Sequence, residues 1–281
     1  MKYVFHVGLF VITVFGVYYF FSPVRIKIVR EPCYTSFPTP IEDYGEPKTK
    51  EDFLAHAIIT GDETKVRQLL DEGVSANAEA EIMWNVLPST FLMLAVEYGR
   101  EQTVSLLLEK GADIKATNSF GCSALNFAID YDRANLISLL ISNGVSLTSY
   151  TSWGNTPLLD ALTKRQFAIA DALIRNGADV NQKHASDGIF PIHLAVAERR
   201  PDQVKRLLDY GALIDNQSDG GVTALMIAAM SGHEDIVRLL LDRGASASIS
   251  DKQNKTALTW ARGKKHSACV KLLSNHYYET N

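Results

Sequence analysis

The stretch Gly221–Ser246, GVTALMIAAMSGHEDIVRLLLDRGAS, predicts two short helices joined by a turn. Thr223 is placed to cap the first helix, because its hydroxyl can accept a hydrogen bond from a backbone N–H of the first turn. Ser231-Gly232-His233 ends that helix. From Glu234 to Asp242, aliphatic residues recur near a 3.6-residue period, which predicts a second helix. Gly244 follows, and glycine is common just past a helix end.

This pattern of two helices recurs along the chain with a constant period. The residue at the position of Thr223 returns every 33 or 34 residues. The members of this series are Thr90, Ser123, Thr156, Phe190, Thr223 and Thr256. The glycine after the second helix keeps the same period from Gly111 to Gly244. A short helix pair cannot bury its apolar face alone and does so by stacking on its neighbours, so the period predicts an all-α repeat solenoid.

These units resemble the ankyrin repeat. The best-matching motifs are Thr156-Pro157-Leu158, Pro191-Ile192-His193-Leu194-Ala195, Gly232-His233 and Gly177-Ala178-Asp179-Val180-Asn181. The resemblance implies helix–turn–helix repeats connected by β-hairpin or loop fingers, in a domain spanning residues 51–281. We expect repeats at about 51–80, 88–117, 120–150, 153–183, 187–217, 220–250 and 253–276, with an insertion between the first two. The first and last repeats depart from the pattern, which is typical of capping repeats.

The N-terminal segment has a different character from the repeats. Residues 3–24 carry no charged side chain unless His6 is protonated, and as a helix they would be about 33 Å long, enough to cross a hydrocarbon core of about 30 Å. This predicts a transmembrane helix at about 3–24 within an N-terminal anchor at 1–30. A cleaved signal peptide and a buried helix are the alternatives. Basic residues flank both ends, so charge does not decide which side of the membrane the repeats occupy, cytoplasmic or periplasmic.

A linker is predicted at residues 31–50, because prolines are frequent there and favour an extended spacer. These prolines are Pro32, Pro38, Pro40 and Pro47.

Composition and motifs argue against catalysis, metal binding and nucleic-acid binding. The net charge of −4 gives no expectation of nucleic-acid binding. Cys33, Cys122 and Cys269 are far apart in sequence and offer neither a zinc-binding spacing nor an even-numbered disulfide framework. His193 and His233 occupy the two histidine positions of the repeat, where the resemblance implies hydrogen bonds to nearby backbone. The sequence has no catalytic motif, so we predict a non-enzyme with no cofactor, metal or small-molecule substrate.

The resemblance implies that the protein binds another protein through the concave face and the fingers of the repeats. Aromatic residues concentrate at variable positions of the early repeats, and such residues dominate binding hot spots. The predicted partner-binding residues are Trp84, Tyr98, Phe120, Tyr131, Trp153, Asn155 and Lys164. The competing interpretation is that Phe120 and Trp153 only pack between fingers and that Tyr131 only packs against its neighbour.

We therefore predict a monomeric, single-pass membrane-anchored scaffold for protein–protein binding. The alternatives are an inhibitor or immunity-like protein that blocks an enzyme, and a transporter or channel subunit.

Overall fold

The protein is built from short helices that follow one another in pairs. The computed structural model describes Tyr19–Phe20, Arg25–Ile26, residues 47–80 and residues 89–280. The helices of this part are α1 Lys50–Thr60, α2 Glu63–Asp71, α3 Phe91–Glu97, α4 Glu101–Glu109, α5 Ala124–Asp130, α6 Ala134–Ser142, α7 Pro157–Thr163, α8 Phe167–Arg175, α9 Pro191–Ala197, α10 Pro201–Asp209, α11 Ala224–Ser231, α12 Glu234–Asp242, α13 Ala257–Gly263 and α14 Ser267–Thr280. Most pairs combine a first helix of 7 residues with a second of 9.

The strands of the described part are all two residues long. β1 (Tyr19–Phe20) pairs antiparallel with β2 (Arg25–Ile26), and β3 (Glu79–Ala80) pairs antiparallel with β4 (Ser89–Thr90). Isolated antiparallel bridges, such as Ser250 with Thr256, close other loops between the helix pairs. These loops are the predicted fingers.

The first helices of several pairs begin at the predicted positions, each directly after a threonine that caps the helix N-terminus. The Thr90, Thr156 and Thr223 hydroxyls each accept a hydrogen bond from the backbone N–H three residues later, at 3.2–3.3 Å. The predicted second helix over Glu234–Asp242 is confirmed. Phe190 has no oxygen to offer at this position, and the helix after it starts with Pro191, whose fixed φ suits the first helical turn.

The N-terminal helix predicted at 3–24 is not observed where the structure describes that segment. Tyr19–Phe20 forms strand β1 instead of a helical turn, consistent with the preference of aromatic residues for extended backbone. The other residues of the predicted helix lie outside the described residues. No helix in the described part of the chain is long and apolar enough to span a membrane.

The described repeats divide into two compact units. The first unit contains residues 47–80, 89–153 and 168–177. In it the first helices α1, α3 and α5 pack side by side, and α2 packs against α4. Among its core residues, Phe91, Leu107 and Leu136 are fully buried.

The second unit contains residues 154–167 and 178–280. Its first helices α7, α9, α11 and α13 pack in succession, and α12 packs between α10 and α14. Met226 and Ile236 are fully buried in its core.

A recurring hydrogen bond ties several helix pairs to the pair before them. The residue just before the second helix of one pair bonds to a backbone carbonyl near the end of the first helix of the preceding pair. Arg133 Nε and Nη2 donate to the Glu97 carbonyl at 3.1 and 2.6 Å, and Arg100 Nε donates to the Ile58 carbonyl at 3.2 Å. The carbonyls at helix ends lack intrahelical partners, so these bonds satisfy groups that the helix leaves open.

In the second unit, histidine side chains make the equivalent hydrogen bonds. His233 Nδ1 lies 3.1 Å from the Val196 carbonyl oxygen, and His266 Nε2 lies 3.0 Å from the Met230 carbonyl oxygen. The bond predicted from His233 to nearby backbone is thus confirmed. His266 stands 33 residues after His233 and keeps this role, although the sequence around it departs from the repeat pattern.

Candidate functional site

Two of the predicted partner-binding residues stack on each other at the finger tips of the first unit. The rings of Phe120 and Trp153 have centroids 5.0 Å apart and planes 26° apart. Both side chains are half-buried. The fingers that carry them are joined by a hydrogen bond of 2.7 Å from the Ser152 N–H to the Phe120 carbonyl. The pair is therefore held in a defined geometry and remains partly exposed to solvent.

The backbone between these aromatics requires glycine. Gly121 has a φ of +70°, in the left-handed region, and a Cβ there would lie 3.1 Å from the Tyr150 carbonyl oxygen. Glycine at this position thus allows the two fingers to approach closely.

Tyr131 lies beside a buried carboxylate in the same unit. Its hydroxyl donates to Glu97 Oε1 at 2.7 Å, and its ring stacks on Phe127 with centroids 6.3 Å apart. Glu97 is 7% exposed. Burial raises the pKa of its carboxyl above the usual range, while the bond from Tyr131 and the charge of Arg133 act in the opposite direction. The phenol of Tyr131 is thus held in one orientation.

The other predicted residues have different surroundings. Tyr98 is half-buried at the C-cap of α3. Lys164 is half-buried at the C-cap of α7, and Asn155 is buried, with 8% of its surface exposed. Both belong to the second unit. Trp84 lies outside the described residues. Whether these residues contact a partner stays a prediction.

The family follows from comparison of the chain with known proteins. The family profile described as ankyrin repeats (3 copies) matches residues 41–118, 92–184 and 192–281, which together include most of the chain. The chain belongs to the ankyrin-repeat family. Among solved structures, it is similar to the ankyrin repeat domain of Bcl-3, a unique member of the IkappaB protein family. The two share 26% sequence identity with a TM-score of 0.72, and the match covers 82% of this chain and 100% of that one.

Membership identifies the repeats as a protein–protein interaction scaffold, since ankyrin-repeat domains are non-enzymatic interaction domains. One polar cluster resembles a catalytic set only in composition. Ser186 Oγ and Asp187 Oδ1 both approach Nδ1 of His184, at 3.3 and 2.7 Å. A catalytic triad needs the serine and the carboxylate on opposite ring nitrogens. No group of metal-ligating side chains is found among the described residues.

The buried position of Glu97 and the bonds made by Arg133 were not predicted from the sequence, and the expectation of no disulfide is wrong for Cys122, which is disulfide-bonded. A signal for Arg133 was present: it lies 33 residues after Arg100, in the register that His233 and His266 occupy later. Such a register marks a common structural position whatever the residue type. The hydrogen bond of Glu97 has no comparable signal, because its partner Tyr131 lies in the next repeat.

Proposed function

We propose that the protein is an ankyrin-repeat scaffold that binds a partner protein through an aromatic surface of its first unit. This aromatic surface comprises Tyr98, Phe120, Tyr131 and Trp153. The observation that carries the proposal is the stack of Phe120 on Trp153, half-buried across two fingers. Large aromatic side chains supply most of the energy of typical hot spots. Holding them rigid before binding reduces the entropy that association costs.

The partner is expected to place an apolar or planar side chain against this surface. The rings offer apolar faces, and the carboxylate of Glu97 beside Tyr131 is largely shielded by burial, with Arg133 close to it. An aromatic patch of this kind favours protein side chains over a compact charged ligand.

Site-specific photo-crosslinking tests this proposal in the full chain. A photoreactive amino acid at Ser152, which is exposed beside Trp153, should give a discrete protein adduct in cells that express the chain. The matched control is Ser142, exposed at the end of α6 in the same unit. An adduct from Ser152 that disappears with Phe120→Ala and Trp153→Ala supports the proposal. Equal adducts from both positions would overturn it.

We also propose that residues 3–24 anchor the chain in a membrane as a single pass, with residues 31–50 as a spacer. The support is the sequence: 22 residues without a charged side chain other than His6. Val11→Lys with Val14→Lys should move the protein from the alkaline-washed membrane pellet to the supernatant, because a lysine at a helix centre costs about 2.5–3.5 kcal/mol. Val11→Leu with Val14→Leu is the control. Retention of the lysine variant in the pellet would rule the anchor out.

Two narrower statements belong to the same proposal. We count the successive helix pairs α1/α2 to α13/α14 as seven repeats. An inhibitory or immunity-like function applies if the crosslinked partner is an enzyme whose activity falls on complex formation. The side of the membrane is measured with a tag after Asn281 and protease added to intact or opened cells.

A further inference from the structure

The last helix pair and the finger before it carry an excess of positive charge. The cations of residues 251–271 are Lys252, Lys255, Arg262, Lys264, Lys265 and Lys271. Five of these side chains are exposed, and Lys255 is half-buried with its Nζ 4.2 Å from the centroid of the Trp260 ring. Arg262, Lys264 and Lys265 fall within four positions, in the last residues of α13 and the turn that follows. The chain as a whole has a net charge of −4, so this excess is local.

The only acidic side chain in this stretch does not neutralise it. Asp251 is 5% exposed, and its carboxylate is used internally. Oδ2 accepts from Trp260 Nε1 at 2.9 Å, and Oδ1 accepts from the N–H groups of Gln253 and Lys255 at 2.8 and 3.0 Å. This carboxylate shapes the finger, and the outward-facing cations have no acid among residues 252–271 to balance them.

Several cations in other repeats of the second unit are paired. Arg165 lies 3.0 Å from Glu198, Lys183 lies 3.2 Å from Asp219, and Arg243 Nη1 lies 3.0 Å from Asp209. Within the described part of the chain, the exposed cations of residues 251–271 form no ion pair with a carboxylate. These cations are thus available to pair with an external anion.

The chemistry of the surface distinguishes among polyanions. The large exposed hydrophobic side chains of the described residues, Phe53, Tyr150, Tyr210 and Leu213, all lie elsewhere in the sequence. Single-stranded nucleic acid is bound on aromatic side chains that stack with bases, and the one aromatic residue here, Trp260, is 5% exposed. Peripheral binding to lipid combines cations with apolar side chains that insert among the headgroups. A carboxylate-rich protein segment needs neither feature.

We propose that the basic cluster of Arg262, Lys264 and Lys265 docks an acidic segment of a partner protein through carboxylate–ammonium and carboxylate–guanidinium pairs, with Lys252 and Lys271 adding to the positive charge of the same helix pair and finger. These cations belong to a different unit from the aromatic surface, and this proposal does not depend on binding by that surface. Exposed pairs of this kind contribute little individually, so several must act together, and binding must weaken as salt screens them.

Fluorescence anisotropy with the full chain tests this docking. The probe is a labelled decapeptide of glutamate, compared with a decapeptide of glutamine, at low and at physiological salt. Lys264→Glu with Lys265→Glu should weaken binding of the glutamate probe by about tenfold. The matched control, Arg67→Glu with Lys115→Glu, changes the net charge equally at exposed positions of the first unit and should change binding less than twofold.

Each other outcome would overturn the proposal. Equal weakening by both double variants would mean that net charge alone attracts the probe. Salt-independent binding, or equal binding of the glutamine probe, would exclude carboxylate pairing. Tighter binding of phosphatidylserine vesicles or single-stranded DNA than of the glutamate probe, with the same loss in Lys264→Glu with Lys265→Glu, would assign the surface to lipid or nucleic acid.

Discussion

Replacing His193 with asparagine should change how the stability of the protein depends on pH. His193 is fully buried, its Nδ1 accepts from the Phe190 N–H at 3.3 Å, and its Nε2 lies 3.1 Å from the Asn216 carbonyl oxygen. Burial lowers the pKa of this imidazole from 6.5 to about 4. Between pH 6.5 and about pH 4, the His193 imidazole is therefore protonated in the unfolded chain but not in the folded protein. The stabilising contribution is complete above pH 6.5 and is lost as the pH falls to about 4.

The magnitude follows from the size of the pKa shift. One pKa unit corresponds to 1.36 kcal/mol, so the loss attributable to His193 is about 3 kcal/mol across this window. His193→Asn keeps part of the local structure, because Asn126 occupies the same register and accepts from the Ser123 N–H at 3.0 Å. At pH 7 the variant loses the bond to the Asn216 carbonyl and should be less stable than the wild type by about 1–2 kcal/mol.

Urea unfolding at intervals from pH 7.5 to pH 4 measures the difference between the two proteins. The advantage of the wild type should shrink as the pH falls and should vanish or reverse near pH 4. Other titrating groups, including His233, whose pKa burial also lowers, are common to both proteins and cancel in the difference. Parallel stability curves across this range would refute the reasoning, since they would mean that His193 titrates alike in the folded and unfolded states.

Three further predictions concern the packing of repeats, and urea unfolding followed by circular dichroism measures each. Gly221→Ala should lower the free energy of unfolding by at least about 1 kcal/mol more than Gly144→Ala does. Both glycines have a positive φ, but only at Gly221 would the new Cβ lie 2.9 Å from a backbone nitrogen of the next finger. Equal losses of stability would contradict this. Arg133→Met should destabilise by about 2 kcal/mol through loss of the charged donor to the preceding repeat, and a neutral effect would remove that bond from the account. Trp260→Phe should cost about 1–3 kcal/mol because it deprives the buried carboxylate of Asp251 of a donor, and unchanged stability would show that water replaces it.

The spacing of capping residues and glycines was sufficient to predict the helix pairs. Thr223, Gly232 and the aliphatic run after it place α11 and α12 within a residue or two of their observed bounds. These signals are local, since each depends on one turn of helix. The same spacing identified Phe190 as a position without a capping hydroxyl. It could not predict that the backbone N–H of Phe190 would donate a hydrogen bond to His193 Nδ1.

The surroundings of the candidate site could not be predicted, because they depend on contacts between residues about 33 positions apart. The sequence places Asn155 and Trp153 two positions apart on one loop, yet Asn155 is buried and Trp153 is half-buried against Phe120. The carboxylate of Glu97 likewise accepts a hydrogen bond from Tyr131 of the next repeat. A pattern within one repeat predicts which positions vary. It does not predict which of the variable side chains the neighbouring repeat covers.

The affinity of the crosslinked partner for three forms of the full chain tests the central claim most directly. Calorimetric titration should show a loss of about 100-fold for Phe120→Ala with Trp153→Ala, the size expected for a truncated hot spot, with helicity unchanged. Tyr210→Ala with Leu213→Ala removes two side chains that are 52% and 60% exposed in the second unit, and affinity should change less than threefold. If all three forms bind equally, the stack of Phe120 and Trp153 is a packing contact, and the partner binds elsewhere.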